Sequence, residues 1–243
     1  MRLATVVTCK GRLQHLAATA PGVIHASLPR DCGYVLVDWS CPEGSGTWLN
    51  NYVQHPNVRV APVQAPGFHK TRAQNIGANV AMQMGASYLL FADADTILAP
   101  SFFDWLLLNL SSDTFFFAAH KAGRKDTTGI IAVHTSVFSR VGGFDEGFDR
   151  YGNEDVDLRL RLWLAGARFL TFPDWMFDRG IIQAIPHDDV LRTRYYPDKD
   201  LKRSSKETLD LLIQRYQQRT GRDMQADWQG PAGGVIAFLL GNE

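Results

Sequence analysis

Two carboxylate clusters stand out as residues able to do chemistry. In Leu89-Leu90-Phe91-Ala92-Asp93-Ala94-Asp95 an apolar stretch runs directly into two aspartates separated by one residue. Extended residues i and i+2 point to the same side, so Asp93 and Asp95 can face one ion. Two hard oxygen donors suit Mg²⁺ or Mn²⁺, which in turn hold substrate phosphates. The plainer account is a strand end whose aspartates cap a turn; the place after a buried strand favours the metal. The second cluster is Tyr151-Gly152-Asn153-Glu154-Asp155-Val156-Asp157-Leu158, three carboxylates at the start of a helical pattern. Acidic residues favour a helix N-terminus by about 0.3–1 kcal/mol each, so capping alone accounts for them. Yet Gly152-Asn153 permits a tight turn that exposes Glu154 and Asp155, and a carboxylate there can act as general base toward a hydroxyl. Arg159 and Arg161 follow and offset part of the repulsion.

Loop residues supply a third set. Thr8, Lys10 and Arg12 follow the first apolar run, and Asp38 ends the second. A carboxylate at a strand end accepts hydrogen bonds from a base or ribose in nucleotide sites. Lys70, Arg72 and Asn75 sit where a helix begins, a place that meets diphosphates. In the late segment Pro186-His187-Asp188-Asp189, His187 could complete the coordination of a cation held by Asp95, or be an exposed histidine.

The elements that must position these residues alternate. Leu3–Thr8, Tyr34–Asp38, Val58–Val63 and Tyr88–Ala92 read as buried strands. Leu13–Thr19, Thr47–Gln54 and Thr71–Met84 read as helices, the last with Ile76, Val80 and Met84 on one face. This alternation predicts an α/β fold with a mostly parallel central sheet flanked by helices, binding ligands beyond the strands' carboxyl ends. Further on, Phe115–Ala119 and Gly129–His134 read as strands, antiparallel to one another, and Asp155–Ala165 as a helix ending at Gly166. Arg179–Lys202, with two prolines, many charges and no apolar period, reads as a loop. Leu201–Arg219 reads as the final helix, with Leu209, Leu212, Ile213 and Tyr216 on one side.

Bulk composition narrows the class. The 243 residues are 45% hydrophobic and 21% charged, enough for a sizeable core. Lys+Arg and Asp+Glu both number 25, so no global field favours nucleic acid. Cys9, Cys32 and Cys41 lack metal-site spacing and fit a reduced, cytoplasmic protein. The start reads as a first strand, not a signal peptide, and no apolar run approaches the roughly 20 residues that span a bilayer. Peripheral membrane contact stays open.

Taken together the motifs resemble the GT-A glycosyltransferases, in particular the inverting family 2 type, over roughly residues 1–190. Val6-Val7-Thr8-Cys9-Lys10-Gly11-Arg12 looks like the family's first strand and nucleotide loop. Val35-Leu36-Val37-Asp38 with Ser40 and Gly44–Thr47 is similar to its VDDGSxDGT segment, except that Trp39 stands where the second aspartate would be. Arg72-Ala73-Gln74-Asn75-Ile76-Gly77 looks like its R-x-x-N-x-G helix start, and Asp93-Ala94-Asp95 stands at its D-x-D. Gly142-Gly143-Phe144-Asp145-Glu146 followed by Tyr151–Leu158 is similar to the GGFDE…(W/Y)GxEDxDL pattern shared with galactosyltransferase-like proteins.

The resemblance implies a metal-dependent transfer of sugar from a nucleotide-diphosphate donor, UDP-linked by expectation, to an acceptor hydroxyl on a carbohydrate or glycan. It implies that Asp155 is the base and Glu154 its support or an acceptor contact. Asp95 would contact Mn²⁺ or Mg²⁺ directly, Asp93 the ribose or a metal-bound water, with His187 the third metal-site candidate. Thr8, Lys10, Arg12, Asp38, Arg72 and Asn75 would line the donor site. The implied division is a catalytic domain over 1–190, with the donor site mainly in 1–100 and the acceptor part in 101–190, and a helical extension over 191–243. Alternatives left open are a retaining enzyme of the same fold and a non-catalytic carbohydrate-binding relic. A sugar-nucleotide pyrophosphorylase fits less well, because Thr8–Arg12 offers a single glycine.

Overall fold

A computed structural model describes residues 1–121, 125–186 and 189–240. The first half follows the expected alternation: β1 (Leu3–Cys9), α1 (Leu13–Ser27), β2 (Cys32–Trp39), α2 (Ser45–Tyr52), β3 (Val58–Val63), α3 (Lys70–Gln83) and β4 (Tyr88–Asp93). β1, β2 and β4 are apolar runs buried on both faces, as strands covered by helices must be. α1 extends past the expected Thr19 and continues through Pro21, because Leu16, Ala20, Val23 and Ile24 bury one continuous stripe.

The second half contains β5 (Thr96–Leu98), α4 (Pro100–Asn109), β6 (Thr114–Phe117), β7 (Ile131–His134), α5 (Thr135–Arg140), α6 (Glu154–Leu164), β8 (Arg168–Thr171) and α7 (Asp174–Asp178). β9 (Ile182–Ala184), α8 (Asp189–Thr193), α9 (Leu201–Thr220), α10 (Met224–Gln229) and α11 (Gly233–Leu240) complete it. Seven strands form one sheet in the order β3-β2-β1-β4-β7-β6-β8, and β5 pairs with β9 in a separate ribbon. β3, β2, β1 and β4 run parallel; β7 is antiparallel to β6, as read from the sequence, and also to β4.

Two expectations change. The segment 179–202 is not a plain loop: Ile182–Ala184 pairs with Thr96–Leu98, a partner more than eighty residues away that no local period reveals. The helix over 201–220 is not the last, since Asp223 caps α10 through the N–H groups of Gln225 and Ala226. The apolar run 235–240 then forms α11, which lays Ile236 and Leu239 into the core beside Phe117 and Leu158. Among the described residues no helix is long and apolar enough to cross a membrane.

Register delivers the site. Thr8 lies beside Asp93 and Cys9 beside Asp38, so the loops after β1, β2 and β4 leave one edge of the sheet together. Because β7 is antiparallel and starts at Ile131 opposite Phe91, it carries Gly129 to the same edge. Gly77 lets α3 approach that sheet: a Cβ there would collide with Val6 and come within 2.9 Å of Val37 Cγ2. Alanine improves helix propensity by up to about 1 kcal/mol, but overpacking two fully buried valines costs about 1–3 kcal/mol. Gly77→Ala is therefore expected to destabilise by about 1–2 kcal/mol, seen as a lower urea midpoint with an unchanged slope.

Candidate active site

A cleft of about 460 Å³ opens along that edge. Its lining includes Thr8, Lys10, Arg12, Asp93, Asp95, Glu154 and Asp155, so seven residues singled out in the sequence share one cavity. Their arrangement is set by ion pairs. Lys70, the first residue of α3, reaches Asp93 Oδ1 at 3.0 Å and Glu154 Oε1 at 3.1 Å. Arg12 Nη2 meets Asp95 Oδ2 at 2.8 Å, and Arg159 Nη2 meets Asp155 Oδ2 at 3.2 Å.

Asp93 ends β4, but Ala94 and Asp95 turn, so the extended geometry expected of the pair stops at Asp93. The two carboxylates consequently take different cations, and Asp95 is 1% exposed. Gly129 backs the Asp93–Lys70 pair closely; a Cβ there would lie 3.0 Å from Asp93 Oδ2 and 3.6 Å from Lys70 Nζ.

The acidic helix mouth is built from both sides. Gly152 (φ +104°) and Asn153 (φ +63°) make the turn that presents Glu154 and Asp155, conformations in which glycine and asparagine are at ease. Asn153 Nδ2 donates to Ser205 O at 3.1 Å and Thr208 Oγ1 at 3.0 Å, and Ser204 Oγ donates to Tyr151 O, so α9 clamps the turn. Asp155 Oδ1 accepts the Val156 N–H at 2.9 Å, while buried Arg159 lies 4.8 Å from the Phe117 ring centre. Asp155 thus accepts one first-turn N–H of its own helix and is also held by an arginine. Asp157 turns away to Arg161 and Arg219 and serves the fold.

Burial and mutual repulsion show in the titrating groups. Burial, reinforced by the Asp155 charge, pushes the Glu154 carboxyl up despite Lys70. Burial alone would lower Lys70, but Asp93 and Glu154 outweigh it and hold the ammonium above its usual range.

Three candidates lie elsewhere. Asp38 accepts the N–H groups of Cys41 and Gly46, both at 2.8 Å, and lines a second concavity with Gly46, Asn50 and Arg59. Neighbouring Trp39, in the place of the family's second aspartate, is buried edge-on against Phe68. Asn75 bonds Phe144 N, Phe144 O and Glu146 Oε1, clamping the Gly142–Glu146 turn, and Arg72 is exposed near Glu146. Only Lys70 of that helix start reaches the cleft. His187 lies outside the described residues.

Sequence reasoning missed Tyr195 and Tyr196, whose signal was two adjacent aromatics in a polar stretch. A Cβ on Gly11 (φ +63°) would collide with the Tyr195 ring, which also lies 5.5 Å from Lys10 Nζ. Tyr196 packs edge-on against both Phe68 and Tyr151. The two rings strap the segment before α9 across the cleft.

The solved structures with similar architecture decide the fold. A mannosyltransferase from Pyrobaculum calidifontis, in complex with GDP-Man and Mn²⁺, superposes with a TM-score of 0.57 at 15% identity, covering 80% of this chain and 61% of that one. The fold is GT-A. GalNAc-T7, in complex with UDP, GalNAc and Mn²⁺, matches this GT-A chain with a TM-score of 0.57 at 19% identity, over 71% and 42%. The family described as "N-terminal domain of galactosyltransferase" matches residues 114–188, which contain Glu154 and Asp155. A mouse (Mus musculus) protein, "Inactive polypeptide N-acetylgalactosaminyltransferase-like protein 5", is 38% identical over 47 residues, 19% of this GT-A chain. The chain spans about a tenth of that relative, 11% of its length.

The strap has an acid-sensitive anchor. Asp198 accepts from Arg203 at 2.7 and 2.8 Å, with help from the Asp200 N–H, and these bonds hold its carboxyl down at about 2. A depressed folded value stabilises above the unfolded carboxylate range and is lost as pH falls through the folded value. Backbone hydrogen exchange around 195–203 is therefore expected to accelerate between about pH 4 and about pH 2, and Asp198→Asn should remove that pH step.

Proposed function

We propose that the protein is a glycosyltransferase that moves a sugar from a nucleotide-diphosphate donor, UDP-linked as the first expectation, to an acceptor hydroxyl with inversion. The observation that carries this reading is that Asp93, Asp95, Glu154 and Asp155 line one cleft, with Lys70 bridging Asp93 to Glu154. A one-step displacement requires a leaving-group side and a proton-accepting side, and two carboxylate pairs in one cleft support assigning one pair to each.

Asp93 and Asp95 fit a hard divalent ion such as Mn²⁺ or Mg²⁺: both are oxygen donors in the cleft, and each already holds a cationic side chain. Among the described residues no three His, Cys, Asp or Glu side chains form a ready-made shell, so diphosphate and water oxygens would complete it. Bound there, the ion would neutralise charge on the departing diphosphate. Lys10 and Arg12 border the same side and suit phosphate oxygens. In this reading Asp155, its rotamer fixed by Arg159, takes the proton of the acceptor hydroxyl, and Glu154 accepts a second acceptor hydroxyl.

The proposed catalytic unit is residues 1–190, with 191–243 as a helical extension that contributes Tyr195, Ser205 and Leu209 to the cleft wall. Free Cys9, Cys32 and Cys41 support a reducing, cytoplasmic setting.

A thermal-shift panel of nucleotide sugars with Mn²⁺ identifies the donor, since binding to the native state raises its stability. Asp155→Asn is then expected to lower transfer by about 10²-fold or more while leaving donor affinity unchanged in calorimetry. Full activity in that variant removes Asp155 from the chemistry. Asp95→Ala is expected to abolish the Mn²⁺-dependent part of donor binding. Product stereochemistry read by proton NMR checks inversion, and a retained anomer rejects the one-step route.

A further inference from the structure

Lys70 occupies the electrostatic centre of the cleft. Its ammonium touches Asp93 at 3.0 Å and Glu154 at 3.1 Å, its side chain is 16% exposed, and Gly129 closes the space behind it. With Lys70 the three groups sum to one negative charge; without it they sum to two. A divalent ion approaching Asp93 therefore meets an oxygen already committed to a cation, and a like charge a few ångströms away. A diphosphate arriving with the ion changes that balance, because it offers the displaced ammonium a new anionic partner.

We propose that Lys70 is a built-in counter-ion that makes metal entry at Asp93 conditional on a diphosphate, and that its second contact, Glu154, ties the acceptor side to the same event. This rests on the reading of Asp93 as a metal contact. Lys70 is a positioning residue here: it acts through the carboxylates it holds. In the resting site it spans Asp93 and Glu154; with metal and nucleotide bound it leaves Asp93 for the phosphates. Metal and nucleotide then bind with positive coupling, and the coupling is reciprocal.

The test is Mn²⁺ binding by calorimetry, alone and at saturating UDP, in the wild type, Lys70→Met and Lys70→Arg, each first shown by circular dichroism to be folded. Wild type is expected to bind Mn²⁺ weakly alone and more tightly with UDP. Lys70→Met should bind Mn²⁺ alone roughly tenfold or more tightly than wild type, the scale set by removing one adjacent unit charge. Its enhancement by UDP should shrink by a similar factor, and Lys70→Arg should restore wild-type behaviour. Glu154→Gln, which leaves the ammonium only Asp93, should weaken Mn²⁺ binding and gives a second reading if Lys70→Met does not fold. Unchanged or weaker Mn²⁺ binding in folded Lys70→Met overturns the proposal. The transfer reading fails separately: tighter Mn²⁺ binding in Lys70→Met together with no transfer by the wild type from any nucleotide sugar would sustain the counter-ion role and reject the glycosyltransferase.

Discussion

The site depends on charge compensation in a confined space. Asp93, Asp95, Glu154 and Asp155 all border one cleft, and each is at least partly buried and paired with a cationic side chain. Burying an unpaired charge costs several kcal/mol, so such a cluster persists only if cations are built in beside it. Arg12, Lys70 and Arg159 are those cations, one from the β1–α1 loop, one from the start of α3 and one from the body of α6. Each pair therefore links elements as well as balancing charge, and Lys70 joins the strand that ends in Asp93 to the helix that begins with Glu154.

The surrounding fold reads as the means of bringing those charges to one place. Parallel register sets the ends of β1, β2 and β4 level, and antiparallel β7 returns Gly129 to the same edge. α9 supplies the remaining constraint. It holds the 151–153 turn through Asn153, Ser204 and Thr208, and its far end pairs Arg215 and Arg219 with Asp145, and Arg219 with Asp157. The glycine-flanked motif around Asp145 thus works structurally, locking the acidic helix to α9. With α11 packed in one core with Phe117 and Leu158, the C-terminal segment belongs to the scaffold around the acidic helix.

Much of this was legible in the sequence wherever the signal was local. Short apolar runs placed β1, β2 and β4, and the alternation of strands with amphipathic helices predicted the parallel sheet; β3, read as a buried strand, is an edge strand with only Val58 and Ala61 buried. Short range also explains the misses. β9 depends on pairing with β5, and α1 runs past Pro21 because its buried stripe outweighs one lost backbone bond. Asn75 and Arg72 look in sequence like ligands of a diphosphate at a helix start, yet the helix faces them toward the Gly142–Glu146 turn and sends only Lys70 into the cleft.

The sequence by itself determined the chemical inventory: two strand-end aspartates, an acidic helix start after Gly152-Asn153, and basic residues spaced along the early loops. Only the tertiary structure decided who partners whom. Asp93 and Asp95 take different cations after the chain turns at Ala94, Asp157 faces arginines in place of the cleft, and Tyr195 and Tyr196 cross it from a segment a hundred residues away. Residue types and periods follow from neighbours along the chain, whereas ion pairing and desolvation are set by distances across it, which no local pattern encodes.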